Sequence, residues 1–154
     1  MKIHNIMTQP PQTCTIHMDL AAASRRMRDT GCGTLAVLEH RGRLAGIVTD
    51  RDLALAIADA RDPAGTAVED VMTRRVHICR PDDDLHVALE QMAKFKIRRL
   101  PVVTHDGDIK GVVSIDDIIL WGVQHSGVSL HELVAALRSI CVADVAALQD
   151  TAEP

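Results

Sequence analysis

Two segments of this chain place a hydroxyl and a carboxylate where they could hold a polar small molecule. "GIVTDRD" (Gly46 to Asp52) and "GVVSIDD" (Gly111 to Asp117) each run from a glycine through an apolar pair to Thr49 or Ser114, then reach Asp52 or Asp117 three residues later. A carboxylate can accept hydrogen bonds from two vicinal hydroxyls, and such charge-assisted bonds are strong, which is why an acid so often marks a ribose site. A helix starting at the hydroxyl adds unpaired amides and a positive dipole end, which suit a phosphate. The same spacing also describes a plain helix start, with the hydroxyl as N-cap and the acid closing a capping box, worth about 1 kcal/mol per cap. Spacing alone leaves both roles open.

The elements that must position these residues occur twice. A shift of 65 residues lays Met7-Thr8 on Met72-Thr73, Asp19-Leu20 on Asp84-Leu85, Gly42 on Gly107, Gly46 on Gly111 and Asp52 on Asp117 without a gap. This is an internal repeat. Apolar spacing predicts helices over 20–30 and 85–95, with the acids Asp82, Asp83 and Asp84 complementing the second helix's N-terminus. Strands follow at 35–38 and 100–103, then turns signalled by "HRGR" and "HDGD", then strands at 44–49 and 109–114. Such short connections predict antiparallel hairpins. Second helices are expected over 50–59 and 115–123. "ARDPAG" reads as a linker, and "TAVEDVM" opens a short helix in which Thr66 and Glu69 have capping-box spacing.

Each unit is too small to bury both faces of its own two- or three-stranded sheet. The expected architecture is therefore an α/β chain of the α+β type. It comprises one unit over 1–64, a second over 65–123 and a tail over 124–154, the two units packing as a pseudo-twofold pair with two related clefts at their seam. A motif repeated in register, bordering a seam that needs neither hydroxyl nor acid for packing, favours the ribose-reading role over capping alone.

Composition narrows the function classes. The 154 residues are 47% hydrophobic and 25% charged, with a formal net charge of -4, which suits a compact domain and offers no general attraction to nucleic acid. Phe95 and Trp121 are the only aromatics of the Phe/Trp/Tyr set, so base-stacking platforms are scarce. Cys14, Cys32, Cys79 and Cys141 form no C-x-x-C pair and the eight histidines show no ligand spacing, which argues against a zinc site or disulfide framework. There is neither a signal-peptide h-region nor a run of apolar residues long enough for a membrane span. A cytoplasmic protein without membrane or nucleic-acid partners is expected.

Together these segments resemble the CBS domain, the regulatory module named for cystathionine β-synthase, present as a tandem pair. The resemblance covers residues 3 to about 123 and rests on "IMTQPP" and "VMTRRV" opening each unit, on "GCGTLAVLEHRGRLAGIVTDRD", and on "RRLPVVTHDGDIKGVVSIDD". It implies a regulatory module, not an enzyme, that binds adenosine-containing ligands such as AMP, ADP, ATP, NAD or S-adenosylmethionine in its seam clefts. Asp52 and Asp117 inherit the ribose role, and Thr49 and Ser114 a ribose or phosphate contact, within sites that include Gly46, Asp50 and Arg51 in one unit and Gly111 in the other. Main-chain groups at Thr13 and Cys14, and at Ile78 and Cys79, would pin the adenine. Arg98 and Arg99, just before the Leu-Pro-Val strand, occupy positions that reach phosphates in the family.

The two implied sites are unlike. Where the second unit has Lys96, Arg98 and Arg99, the first has Gly31, Gly33 and Thr34, and its Leu-Ala-Val departs from the family's proline. The first unit thus lacks its own phosphate clamp; conversely, the first motif carries Arg51 where the second carries Asp116, which would repel a phosphate approaching closely. Unequal affinities or unequal ligands follow. For "KFKIRR", phosphate contact ranks just ahead of a solvated charged turn at a helix C-terminus, with a nucleic-acid patch the weakest option.

No catalytic constellation emerges. "GCGTLA" fits G-x-G-x-x-G/A, but follows a helix and enters a strand, the reverse of the dinucleotide-binding context; its glycines are better read as relieving crowding. No phosphate-binding P-loop and no nucleophile elbow occur, and His40 and His105 recur as turn residues. In the tail, Ser129 and Glu132 form capping-box spacing ahead of Leu130, Leu133, Val134, Leu137, Cys141, Val145 and Leu148, an amphipathic helix that could cover its own unit or pair with a second copy. CBS modules commonly pair, which points to a homodimer. Three functions are thus in contention: a ligand sensor signalling to a partner by changing shape, an interaction module with empty clefts, and, well behind, a metal-dependent phosphohydrolase using Asp82 to Asp84.

Overall fold

The computed structural model describes residues 1–122 and 127–149, with side chains described as far as Val142. The chain divides into two compact units: one holds Pro10–Val76 with His105–Ile109, the other Met1–Gln9, His77–Thr104 and the chain from Lys110 onward. They are called here the first-repeat and second-repeat units.

In the first-repeat unit the order is β1 (Thr13–Thr15), α1 (Leu20–Thr30), β2 (Thr34–Leu38), β3 (Leu44–Thr49) and α2 (Asp50–Ala58). Asp19 starts α1 by accepting from the Ala22 amide at 2.7 Å. The helix then buries Leu20, Ala23 and Met27 at helical spacing and stops at Gly31, which takes the left-handed conformation (φ 65°) open to glycine. β1 lies parallel to β2, and β2 antiparallel to β3 with Thr34 opposite Thr49. Leu35, Val37 and Val48 turn into a core completed by Leu53 and Ala56 of α2.

The second-repeat unit contains α3 (Leu85–Phe95), β4 (Arg99–Val103), β5 (Ile109–Ser114), α4 (Ile115–Asp117) and α5 (Leu130–Gln149). Asp84 caps α3 through the His86 amide at 3.1 Å, whereas Asp83 accepts from the Arg80 amide at 2.7 Å and Asp82 lies exposed 3.6 Å from His4, so of the acidic run Asp84 alone bonds the helix start. Cys79 bridges in parallel to Val102, the counterpart of the β1 pairing. α4 departs from the expected helix. After Asp117 the chain widens into a π-turn over Ile118–Gly122, which buries Ile118 and Gly122 and leaves Ile119, Leu120 and Trp121 exposed. The β-branched run at 115, 118 and 119 is a weak former of regular helix, so burial decides its geometry; Val123 lies outside the described residues.

Each unit takes in the opening segment of the other repeat. Thr8 exchanges amide and carbonyl bonds with Val112 beside β5 (2.9 and 3.1 Å), and Thr73 does the same with Ile47 beside β3 (2.9 and 3.0 Å). The repeats of the sequence and the compact units in space are therefore different partitions of the chain. The short helix expected from Thr66 is a 3-10 turn at Val68–Asp70, and the Thr66–Glu69 capping box does not form. Burial of Val68 sets the turn instead: its amide bonds Met18 O at 2.8 Å, and the Glu69 amide is spent on Ile16 O at 3.1 Å.

α5 lies against α3. Leu133, Ala136 and Ile140 are buried with Leu89 and Met92 in one core, whereas Leu130, Val134 and Cys141, expected on the apolar stripe, are exposed. The buried stripe is displaced because it follows the line of α3, not the maximum of hydrophobicity; the side chains of Val145 and Leu148 lie outside those described. The Ser129–Glu132 box does form, Glu132 Oε2 accepting from the Ser129 amide and hydroxyl at 2.8 and 2.7 Å.

Candidate functional site

Each motif ends a strand and begins a helix, and the two corners have nearly the same geometry. Thr49 caps α2: its hydroxyl accepts from the Asp52 amide at 3.3 Å, while Asp52 Oδ2 accepts from the Thr49 amide at 2.8 Å and its hydroxyl at 2.7 Å. At the second corner Ser114 Oγ accepts from the Asp117 amide at 3.2 Å, and Asp117 Oδ2 accepts from the Ser114 amide and hydroxyl at 2.8 and 2.6 Å. Both capping boxes are complete. In each carboxylate these bonds run through Oδ2 alone, so Oδ1 retains its acceptor capacity, and both acids are only partly covered. Capping and ligand binding are thus compatible uses of one side chain.

The residues expected around these acids fall into two groups. Asp50 and Arg51 are exposed in the first turn of α2, and the Asp50 amide donates back to Gly33 O at 3.1 Å. Arg98 and Arg99 are exposed where the chain enters β4, and Arg98 O accepts from the Ile115 amide at 2.9 Å, which ties it to the start of α4. Gly46 and Gly111, by contrast, are buried, and a Cβ there would lie 2.6 Å from Thr73 O and 2.7 Å from Thr8 O respectively. These glycines admit the opening segments.

Thr13 and Cys14 lie in β1, where Thr13 O accepts from the Arg26 guanidinium at 2.5 Å. The Cys79 amide donates to Pro101 O and its carbonyl accepts from Val103, so alternation along an extended chain directs the Ile78 backbone groups away from β4. Burial pushes the Cys14 thiol up to about 11, with Arg26 opposing, and the Cys79 thiol up to about 12, with Asp83 adding to the rise. Neither thiol is poised as a nucleophile.

Two features escaped the sequence reading. Thr34 Oγ1 is shut off from water and makes no hydrogen bond. The Asp50 carboxylate lies over Gly33, where a Cβ would be 2.8 Å from Oδ2. The acid-hydroxyl pattern drew attention to Asp52, but a cross-strand neighbour such as Thr34 carries no local signal. Beyond the corners, a cleft of about 290 Å³ between α3 and α5 is lined by His86, Leu89, Glu90, Glu132 and Ala136 among others. In the "KFKIRR" segment, Phe95 stacks on His77 with ring centroids 3.5 Å apart, under Lys94 Nζ at 5.3 Å, and Lys96 adopts φ 57°. No group of three or more metal-ligating side chains occurs among the described residues, and none of their helices is long and apolar enough to cross a membrane.

With this duplicated strand-to-helix corner in view, comparison with known proteins is decisive: the CBS domain family matches residues 3–59 and again 68–123. The chain belongs to the CBS domain family. Among relatives of this CBS pair, the protein YlbB of Bacillus subtilis is 33% identical over 120 residues, covering 77% of this chain and 80% of its own. Among solved structures, the CBS domain pair of protein MJ0100, in complex with 5′-methylthioadenosine and S-adenosyl-L-methionine, superposes with a TM-score of 0.72 at 26% identity, covering 78% of this chain and 94% of that one. The cytosolic domain of the Mg2+ channel MgtE, in complex with ATP, gives 0.68 at 28% identity, covering 77% of this chain and 47% of that one.

Proposed function

We propose that this CBS pair is a regulatory module, not an enzyme, that binds adenosine-containing ligands at its two strand-to-helix corners and passes the signal to a partner by changing shape. The observation that carries this reading is the free Oδ1 of Asp52 and of Asp117, each held in place by a cap bond through the other oxygen. A carboxylate anchored in this way is preorganised to accept the two hydroxyls of a ribose. The adenosyl ligands held by the MJ0100 pair and the ATP held by the MgtE domain support the ligand class.

In this reading Thr49 and Ser114 contact ribose or phosphate, the backbone at Thr13 and Ile78, on the edge turned away from β2 and β4 next to Cys14 and Cys79, receives adenine, and Arg98 and Arg99 attract a phosphate. Ligand binding shifts the chain between conformations only as far as its affinities for them differ. The module acts in the cytoplasm as a homodimer. Calorimetry with AMP, ADP, ATP, NAD and S-adenosylmethionine tests the proposal: at least one should bind, and Asp52→Ala and Asp117→Ala should each remove one site. Binding unchanged in both variants contradicts the ribose assignment.

A second reading is favoured by the completeness of both capping boxes: the motif is only a helix start, and the pair is an interaction module. Flat titrations with every nucleotide would support it.

A further inference from the structure

The corner of the first repeat has features the other lacks. Thr34 sits opposite Thr49 in the β2–β3 ladder, and Thr49 in turn holds Asp52, so the three residues converge on one corner. A buried hydroxyl without a partner is costly, and native proteins leave few of them. Thr34 itself is only partly covered, and a turn about χ1 is the motion that would bring its shielded hydroxyl to a bound molecule. Asp50 adds its carboxylate above Gly33, the residue before Thr34.

At the equivalent positions of the second repeat stand Arg98 for Gly33, Arg99 for Thr34 and the buried Ile115 for Asp50. The run Asp50, Arg51, Asp52 carries a net charge of -1 with no cation at positions 33 and 34, so a phosphate there meets an uncompensated acid, whereas Asp116 and Asp117 of the second repeat are offset by Arg98 and Arg99. Like charges at such range repel even when partly solvated.

We infer that the first-repeat corner selects adenosyl compounds that carry no phosphate, with the Thr34 hydroxyl bonding the ligand and Asp50 discriminating against phosphate. This rests on the adenosine-binding reading above. It assigns the unlike corners unlike ligands, the phosphorylated form going to the side with Arg98 and Arg99.

The test isolates the first-repeat corner with Asp117→Ala, and again with Asp117→Asn as the milder change, then compares adenosine with AMP by calorimetry. Adenosine should bind about tenfold more tightly than AMP at low salt, the gap narrowing as salt screens the exposed charges. Asp50→Asn should close much of that gap. Thr34→Val should weaken adenosine binding roughly five- to tenfold, the loss of one neutral hydrogen bond, while the melting temperature of the ligand-free chain stays level or rises. AMP binding as tightly as adenosine, or Thr34→Val leaving adenosine affinity intact, overturns the inference. Loss of binding in both Asp117 variants while the unaltered chain binds also overturns it, because the first corner is then no site. If the unaltered chain binds none of the adenosyl compounds, the reading beneath it fails instead.

Discussion

The carbonyl oxygen of Thr73 approaches the α-carbon of Gly46 so closely that a methyl group there would lie 2.6 Å from it, and Thr8 approaches Gly111 in the same way at 2.7 Å. The obstacle in each case is backbone oxygen, which cannot swing aside. Gly46→Ala and Gly111→Ala should each cost about 1–3 kcal/mol, the usual penalty of overpacking, and chemical denaturation would measure it. A change within a few tenths of a kcal/mol would mean that the opening segments are loosely held.

The capping boxes give a separate expectation. Thr49→Ala and Ser114→Ala each remove one cap hydroxyl and should destabilise the chain by about 1 kcal/mol, with the Asp52 and Asp117 carboxylates losing part of their anchoring. Ligand affinity should therefore fall in both variants by more than a lost contact explains. A drop in stability with affinity unaltered would show that Oδ1 needs no anchoring.

Thiol reactivity follows from burial. Cys14 and Cys79 are buried with thiols pushed to about 11 and about 12, whereas Cys141 is exposed and Cys32 partly so. Iodoacetamide at mildly alkaline pH should label Cys141 first and Cys32 more slowly, reaching Cys14 and Cys79 only on unfolding. Mass spectrometry of the labelled chain reads the order directly.

Docking of α5 has its own pH signature. The Ser129 backbone amide and then its hydroxyl hold the Glu132 carboxyl below the usual range, as the His86 amide does first for Asp84. A carboxyl whose folded pKa is depressed stabilises the fold above its unfolded value, and that contribution disappears as pH falls through the folded value. The protection of the α5 amides against hydrogen exchange, corrected for the intrinsic pH dependence of exchange, should therefore hold level near neutrality and fall only below about pH 4.3, the ordinary Glu value. Glu132→Gln should flatten that dependence. Within the same contact, Ile140→Ala should cost about 2–5 kcal/mol, because Ile140 is 3% exposed in the core shared with α3.

Lys96 adopts φ 57° at the end of α3, where the first repeat has Gly31 at φ 65°. Lys96→Gly should stabilise the chain by up to about 1 kcal/mol, relieving the left-handed strain, as thermal unfolding would show. Any loss of phosphate-ligand affinity in this variant would then report on charge and not on folding.

Much of this protein is written locally. Helices over 20–30 and 85–95, hairpins flanking Gly42 and Gly107, and N-caps at Thr49 and Ser114 all depend on residues a few positions apart, and periodicity with turn chemistry carries that information; the 65-residue repeat shows in the sequence laid against itself. The Thr66–Glu69 spacing shows the limit of such reading: the local pattern was right for a cap, yet the burial of Val68 and bonds to Ile16 and Met18 claimed the segment for a different turn. Only the tertiary structure decided that each opening segment pairs within the other repeat's unit, that α5 buries Ala136 and Ile140 instead of Leu130 and Val134, and that the Thr34 hydroxyl, opposite Thr49, is left without a partner. These outcomes turn on which surfaces meet across long stretches of chain. Close packing settles that at the level of single atoms, and no window of neighbouring residues contains it.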